Sequence, residues 1–241
     1  MYGMYGYGYG YGLDPTIILV LIGVALSLWA QGRVNSTFSR YSRVRSMTGM
    51  TGAEAARRLL NAQGIYDVTV QQIAGELTDR YDPRTKTVNL SQSVYGATSV
   101  AAIGVAAHEC GHAMQDNEGY APLRFRSALV PVANFGSSLS WPLILLGLVF
   151  GGLGSPLVEI GILMFSLAVL FQLVTLPVEY NASARAVRLL DAQGILAGEE
   201  VNGTRKVLNA AALTYVAAAA TSILQLLRLI ILLGGRNRRY R

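Results

Sequence analysis

Length, composition and charge together indicate which broad class, soluble or membrane-embedded, the protein belongs to. The 241 residues are 52% hydrophobic and 14% charged, whereas a typical soluble domain has about 25% charged residues. This imbalance indicates a membrane protein. The net charge of +6 does not predict a nucleic-acid partner, because the cations flank apolar segments and no nucleic-acid-binding motif accompanies them. The single cysteine, Cys110, excludes an intrachain disulfide and a cysteine-rich zinc site.

The chain begins with a low-complexity leader of tyrosine and glycine, residues 1–12, to which we assign no fold. Residues 13–32 follow, with an apolar run that is just long enough to span a bilayer. A cleaved signal peptide fits poorly, because no Lys or Arg precedes the run and Asp14 stands where basic residues belong. We therefore predict a retained transmembrane helix.

Residues 33–126 are predicted to form a small module of helices and strands. Thr51 and Glu54 form a capping box for a helix that ends near Gly64. The alanine-rich sequence from Ser99 onward predicts another helix.

Between these helices, Tyr66–Ile73 and Thr85–Leu90 alternate between apolar and polar residues, which indicates strands. The turn residues Asp82, Pro83 and Arg84 lie between them, so we predict a hairpin. Thr85–Leu90 could pair with an extended peptide substrate, although an ordinary hairpin strand explains the pattern equally well.

The second half of the chain is predicted to return to the membrane. Residues 127–175 form a transmembrane hairpin, residues 176–206 a polar helix and residues 207–234 a last transmembrane helix, followed by a basic tail at 235–241. Eleven Lys and Arg residues lie between Arg33 and Arg126, which predicts a cytoplasmic location for the polar segments. The basic tail would then emerge outside, against the same rule.

Both histidines of the chain fall in one motif, His108-Glu-Cys-Gly-His112. On a helix, the four-residue spacing puts both imidazoles on one face, and Glu109 lies about 100° around the axis, where it can act as general base. The pattern favours Zn2+ as the cofactor. The alternative is a histidine pair that binds no metal. Gly104 and Gly111 would let neighbouring backbones or a substrate approach this helix closely.

A catalytic zinc needs a third protein ligand, which here must be a carboxylate. Glu179 is the best placed, because it follows the third apolar run at the expected start of a helix. Asp116 lies a full turn beyond His112, and Glu159 falls in the turn between two spans. As an alternative to binding metal, Glu179 could stabilise a helix N-terminus or anchor the span. The remaining downstream candidates are Glu118, Asp191, Glu199 and Glu200. Arg185 could neutralise an oxyanion, or contact Glu179 or a lipid headgroup.

Four segments together resemble the YugP-type neutral zinc metallopeptidases of bacterial membranes: His108–Gln115, Pro177–Ser183, Asp82–Leu90 and Glu118–Pro122. The resemblance extends over nearly everything after the first span. It implies a multi-pass membrane protein with a zinc protease site, and it identifies Glu179 as the residue that matches the third ligand.

A more distant similarity is to the HtpX-type heat-shock membrane proteases and the CaaX prenyl proteases, which share the His-Glu-x-x-His helix. In the heat-shock group a later helix has the form Glu-x-x-Ala-Asp, and its Asp is thought to orient a ligating histidine. This chain has Ser183 at that position and so departs from the pattern, which leaves the orienting role open. Asn181 or Ser183 could substitute for the Asp.

We therefore expect a mainly α-helical membrane protein with about four transmembrane helices and a small α+β zincin-like module. The expected activity is hydrolysis of peptide bonds, and the expected partners are a peptide or membrane-protein substrate and the lipid bilayer. The alternative is a non-catalytic membrane scaffold or regulator that retains a structural metal site. A transporter ranks below both, because few ionisable groups lie within the apolar spans.

Overall fold

The computed structural model describes the backbone of residues 14–237 and the side chains of residues 14–234. The predicted leader, residues 1–12, and the side chains of the predicted basic tail, residues 235–241, lie outside this range. In chain order the elements are α1 (Ile17–Tyr41), α2 (Gly52–Ala62), β1 (Thr69–Ile73), β2 (Arg80–Asp82), β3 (Thr87–Ser91), α3 (Gln92–Tyr95), α4 (Val100–Asn117), α5 (Ala121–Gly151), α6 (Pro156–Ala192) and α7 (Glu199–Asn237).

The predicted fold class is confirmed. Within the described residues four helices, α1, α5, α6 and α7, are long and apolar enough to cross a membrane. The rest of the chain forms a small module of short helices and one three-stranded sheet. The protein is thus a mainly α-helical membrane protein with an α+β module.

The long helices extend well beyond the predicted apolar segments. α6 runs without a break from Pro156 to Ala192, and Pro177 lies inside it. Glu179 is therefore in the interior of a helix, and the prediction that a helix begins there is wrong. Unpaired backbone groups are costly in lipid, which favours continuing the helix through a proline. Helix ends do not mark the bilayer surface, so the predicted division between spans and polar segments stays a prediction.

The sheet has the order β1-β3-β2. β1 pairs with β3 in parallel, and β2 pairs with β3 antiparallel. The predicted hairpin between Tyr66–Ile73 and Thr85–Leu90 is therefore wrong, and the hairpin is formed by β2 and β3 around the turn at residues 83–86. The sequence pattern missed β2 because a strand of three residues is too short to display alternation. β3 is the central strand and is buried along its whole length.

α4 lies at the centre of the module and packs against α2, α6 and α7. Its alanine-rich surface is buried along most of its length. Cys110 faces α2, with its Sγ 3.6 Å from the carbonyl oxygen of Ala56, and burial raises the pKa of this thiol. The capping box at the start of α2 is confirmed, because the Thr51 hydroxyl accepts a hydrogen bond from Glu54 N and the Glu54 carboxylate accepts one from Thr51 N.

Candidate metal centre

His108 and His112 lie on the same face of α4. Ser99 caps this helix by accepting a hydrogen bond from Ala102 N at 3.2 Å. The centroids of the two imidazole rings are 4.8 Å apart in an edge-to-face arrangement. His112 is buried and His108 is partly exposed, so the pair lies at the edge of the core rather than inside it.

Glu179 reaches both imidazoles from α6. Its Oε2 atom lies 3.2 Å from Nε2 of His108 and 3.5 Å from Nε2 of His112. Only 2% of the residue is exposed. Within residues 14–234, these three residues are the one group of three His, Cys, Asp or Glu side chains whose potential ligand atoms converge, all within 4.8 Å of one another.

A close approach of α4 and α6 makes this convergence possible. A Cβ on Gly111 would lie 2.6 Å from the carbonyl oxygen of Ala182, closer than atoms in such a contact can come. Gly104 faces α7, where a Cβ would lie 2.8 Å from Cγ2 of Thr204. The expected role of the two glycines is thus observed, with a backbone neighbour for Gly111 and a side-chain neighbour for Gly104.

Hydrogen bonds on the far side of each ring orient the two imidazoles. Nδ1 of His108 lies 3.1 Å from the Ser183 hydroxyl, and Nδ1 of His112 lies 3.0 Å from Oε1 of Gln115. The Gln115 amide in turn donates to the carbonyl of Val178 at 2.9 Å and to Oδ1 of Asn181 at 3.0 Å. Because each Nδ1 has a partner, each Nε2 is left to face Glu179.

The three residues fit a zinc ion by chemistry and by spacing. Two imidazole nitrogens and one carboxylate oxygen form a donor set that is used by catalytic zinc sites. Ligand atoms about 2.0–2.1 Å from a tetrahedral ion lie about 3.3 Å from one another. The observed separations of 3.2 and 3.5 Å from Glu179 Oε2 to the two Nε2 atoms match that spacing, and the ligand atoms of all three residues lie within 4.8 Å of one another.

The charges around the histidines favour a cation. Burial opposes the charged form of the His112 imidazole, but its hydrogen bond to Glu179 and the charges of Glu109 and Glu179 outweigh burial and hold its pKa above the ordinary value. The same two carboxylates would stabilise a divalent cation between the rings.

Glu109 lies beside the triad and is held by the sheet. Its Oε2 accepts a hydrogen bond of 2.8 Å from the backbone N–H of Tyr81 in β2, and the residue is 8% exposed. The Tyr81 hydroxyl donates to Asp116 at 2.8 Å, and burial together with this hydrogen bond raises its pKa. Tyr81 therefore keeps its proton and fixes β2 against α4.

Two cavities meet at the triad. The first, of about 260 Å³, lies against α1 and α7 and has a largely apolar wall that includes Val34, Leu208 and Ala212. The second, of about 330 Å³, lies against β2 and α5. Residues that line both are Asp79, His108, Glu109, Glu179 and Tyr215. Open space thus adjoins the triad on two sides, and a catalytic zinc site needs such space for the water or substrate in its fourth position.

The other candidate carboxylates do not join the triad. Asp116 accepts hydrogen bonds from Tyr81 and Lys86, and Glu118 pairs with Arg185 at 2.6 Å. The remaining ones, Glu159, Asp191, Glu199 and Glu200, are not among its members. Arg185 also donates to Asn181 at 2.7 Å, so its observed partners are Glu118 and Asn181 rather than Glu179.

Several residues at the site received no role from the sequence, among them Gln115, Arg126 and Tyr215. Gln115 positions His112, Arg126 places its NH2 group 3.6 Å from Oε1 of Glu179, and Tyr215 faces both cavities from α7. Within the described residues Nε of Arg126 is buried without a hydrogen-bond partner. Gln115 could have been suspected, since it lies three residues after His112 and thus on the same helix face. Arg126 and Tyr215 have no such local signal.

Comparisons with known proteins agree with this chemistry. The sequence model of the family described as "Putative neutral zinc metallopeptidase" matches residues 16–234. A protein of Bacillus subtilis (strain 168) named "Putative membrane protease YugP" is 49% identical over 222 residues, which are 92% of this chain and 98% of that protein. No solved structure matches the chain. The resemblance to the YugP-type family is thus confirmed, and the more distant similarity to the HtpX-type and CaaX proteases stays a prediction.

Proposed function

Because the chain belongs to this neutral zinc metallopeptidase family, we propose that it is a membrane-embedded zinc endopeptidase that cleaves membrane or membrane-proximal proteins. The observation that carries the proposal is the convergence of His108, His112 and Glu179 beside Glu109, where two cavities meet. A structural metal site is closed by four protein ligands, whereas this one has three and adjoins open space.

His108, His112 and Glu179 would hold the zinc ion through Nε2, Nε2 and Oε2. When bound, zinc acts as a Lewis acid that polarises the scissile carbonyl and lowers the pKa of a coordinated water. Arg126 lies near Oε1 of Glu179, 3.6 Å away, which leaves Oε2 directed at the imidazoles. Ser183 and Gln115 would keep both rings in their ligating orientation.

Glu109 would serve as general base and then as general acid. Its carboxylate takes a proton from the attacking water and delivers it to the amine nitrogen as the peptide C–N bond breaks. The hydrogen bond from Tyr81 N to Glu109 Oε2 fixes the carboxylate at the junction of the two cavities. An arrangement fixed in advance reduces the cost of orienting the base during the reaction.

The substrate would bind beside β2 rather than beside β3. The sequence suggested Thr85–Leu90 as a docking strand, but β3 is paired on both sides and has no free edge. β2 is an edge strand, and its Tyr81 N–H points away from β3 toward Glu109. An extended peptide beside that edge would run across the metal centre. The Tyr81 N–H would stay bonded to Glu109 and take no part in the pairing.

The walls of the two cavities suggest the substrate side chains that each accepts. The cavity at β2 and α5 is lined by three arginines and by the carboxylates of Asp79, Glu109 and Glu179. Arg126 lies near Glu179, whereas Arg80 and Arg84 take part in no salt bridge among the described residues. These two arginines favour acidic side chains or a terminal carboxylate. The cavity at α1 and α7 favours small apolar side chains.

We place the site at the cytoplasmic face of the membrane. The proposal rests on the eleven Lys and Arg residues between Arg33 and Arg126, since cytoplasmic segments near transmembrane helices are enriched in these cations. Substrates would then be the cytoplasmic ends of membrane proteins or chains close to the inner leaflet.

The test uses the full chain purified in detergent, with zinc measured by elemental analysis and cleavage measured on fluorogenic casein and a peptide library. Wild type should bind one zinc per chain and cleave. Glu109→Gln should keep zinc and lose cleavage, because only the proton carrier is removed. The exposed Glu199→Gln should behave as wild type. A wild-type protein that binds zinc and cleaves none of these substrates would favour the non-catalytic scaffold.

A further inference from the structure

A third cavity, of about 710 Å³, lies between α1, α6 and α7 and is separate from the two cavities at the metal centre. It opens to the surface, since Arg33, Arg40 and Lys206 are exposed. It shares no lining residue with the two cavities at the triad. Its lining combines cations, hydroxyl and amide groups with two aliphatic side chains: Arg33, Ser36, Thr37, Arg40, Tyr41, Tyr180, Lys206, Asn209, Ala210 and Leu213.

The spacing of these residues shows two helix faces turned toward one space. The α1 residues recur from Arg33 to Arg40 at intervals of three and four, and so do the α7 residues from Lys206 to Leu213. α1 and α7 pack antiparallel. Thr221, in the second half of α7, donates a hydrogen bond to the carbonyl of Gly23 near the start of α1, whereas Gly203 at the start of α7 lies against Tyr41 at the end of α1. The two faces therefore oppose each other across the cavity.

The cavity carries three positive charges and no carboxylate. Within the part of the chain that the structure describes, Arg33, Arg40 and Lys206 take part in no salt bridge. Arg40 stacks on the Tyr41 ring at 5.6 Å, an interaction that leaves its N–H groups free to bind an anion. Like charges collected in one cavity without counter-charges favour an anionic ligand.

The cavity lies where the apolar runs of all three helices end. Arg33 is the first charged residue after the apolar run of α1, Tyr180 follows the uncharged run of α6 that ends before Glu179, and Lys206 immediately precedes the apolar run of α7. Three helices thus change from apolar to polar at one level. In a bilayer this level is that of the lipid headgroups.

We propose that this cavity binds the phosphate-bearing headgroup of an anionic phospholipid. The two arginines and Lys206 would bind the phosphate oxygens, since guanidinium groups make paired hydrogen bonds to phosphate. Ser36, Thr37 and Asn209 offer donors to the rest of the headgroup. The acyl chains would continue along α1, whose exposed side chains in the apolar run include Leu28 and Trp29. This site is independent of the proposed peptidase activity.

The test measures lipid binding to the full chain by native mass spectrometry in detergent, with phosphatidylglycerol and phosphatidylcholine at equal concentration. One phosphatidylglycerol should bind in preference to phosphatidylcholine. Arg33→Gln, Arg40→Gln and Lys206→Gln combined should weaken that binding about a hundredfold, because each cation near an anionic lipid surface raises the affinity about fivefold. Inorganic phosphate at millimolar concentration should leave the lipid bound.

Two neighbouring residues give a matched comparison that does not depend on the triple variant folding. Lys206→Gln should weaken phosphatidylglycerol binding about fivefold. Arg205→Gln removes the same charge at the preceding position of α7. Arg205 does not line this cavity but an adjoining one that shares Tyr180 and Asn209 with it, so this change should have a clearly smaller effect. Equal losses in both variants, equal binding of phosphatidylcholine, or displacement of the lipid by inorganic phosphate would overturn the proposal.

Discussion

The backbone of α6 passes so close to Gly111 that a Cβ there would lie 2.6 Å from the carbonyl oxygen of Ala182. Gly111→Ala should push α6 away from α4 and separate Glu179 from the two imidazoles. We expect the purified variant to lose most of its zinc, measured by elemental analysis. Gly32→Ala is the control, since a Cβ at Gly32 meets nothing within 4 Å. Full zinc content in Gly111→Ala would show that this contact does not set the position of α6.

Removal of the Glu179 carboxylate should weaken zinc binding while the helices stay folded. Glu179→Ala leaves the two histidines as the only protein ligands, and two imidazoles hold zinc far less tightly than a complete set of three. Zinc affinity measured by competition with a chelator, alongside circular dichroism, checks both parts. Asp191→Ala on the same helix is the control. Unchanged zinc affinity in Glu179→Ala would move the third ligand elsewhere.

The partners of the two Nδ1 atoms should contribute separately to zinc affinity. Ser183→Ala removes the hydrogen-bond partner of His108 Nδ1, and Gln115→Ala removes that of His112 Nδ1. Each change is expected to weaken zinc binding about 10- to 100-fold. Ser166→Ala serves as a control, because among the described residues the Ser166 hydroxyl bonds only to the carbonyl of Ile162 within α6. If either variant binds zinc as tightly as the wild type, the substituted residue does not orient its histidine.

Tyr215 is the candidate donor to the carbonyl oxygen on which charge develops during hydrolysis. It lines both cavities next to Glu109 and Glu179. Tyr215→Phe should reduce kcat about 10²- to 10³-fold, as loss of one such donor does, and should leave zinc content unchanged. Tyr66→Phe, at an exposed position, controls for general effects of removing a hydroxyl. A normal kcat in Tyr215→Phe would exclude this role.

The candidate metal centre was predictable because its signals are local or chemically restrictive. His108 and His112 are one helix turn apart, and the lack of a third histidine limited the remaining ligand to a carboxylate. Glu179 was preferred for its position after an apolar run, although the expected helix start there is wrong. Its convergence with the histidines depends on a contact between Gly111 and Ala182 that links residues distant in sequence.

The sheet and the rest of the site were less predictable. β2 has three residues, and its position beside β3 decides which strand has a free edge, yet such a short segment carries no pattern. Arg126 and Tyr215 reach the site from α5 and α7, whose sequences are dominated by apolar residues. Their directions depend on how α5 and α7 pack, which periodicity within each helix does not determine.

The continuity of α6 links the metal centre mechanically to the lipid around it. Glu179 lies about 35 Å along the helix from Pro156, at a rise of about 1.5 Å per residue, while His108 and His112 lie on α4, which is not a candidate span. A helix in a thinner or thicker bilayer changes its tilt or depth. We expect such a change to move Glu179 relative to His108 and His112, so that the zinc affinity of the proposed site would depend on the thickness of the membrane.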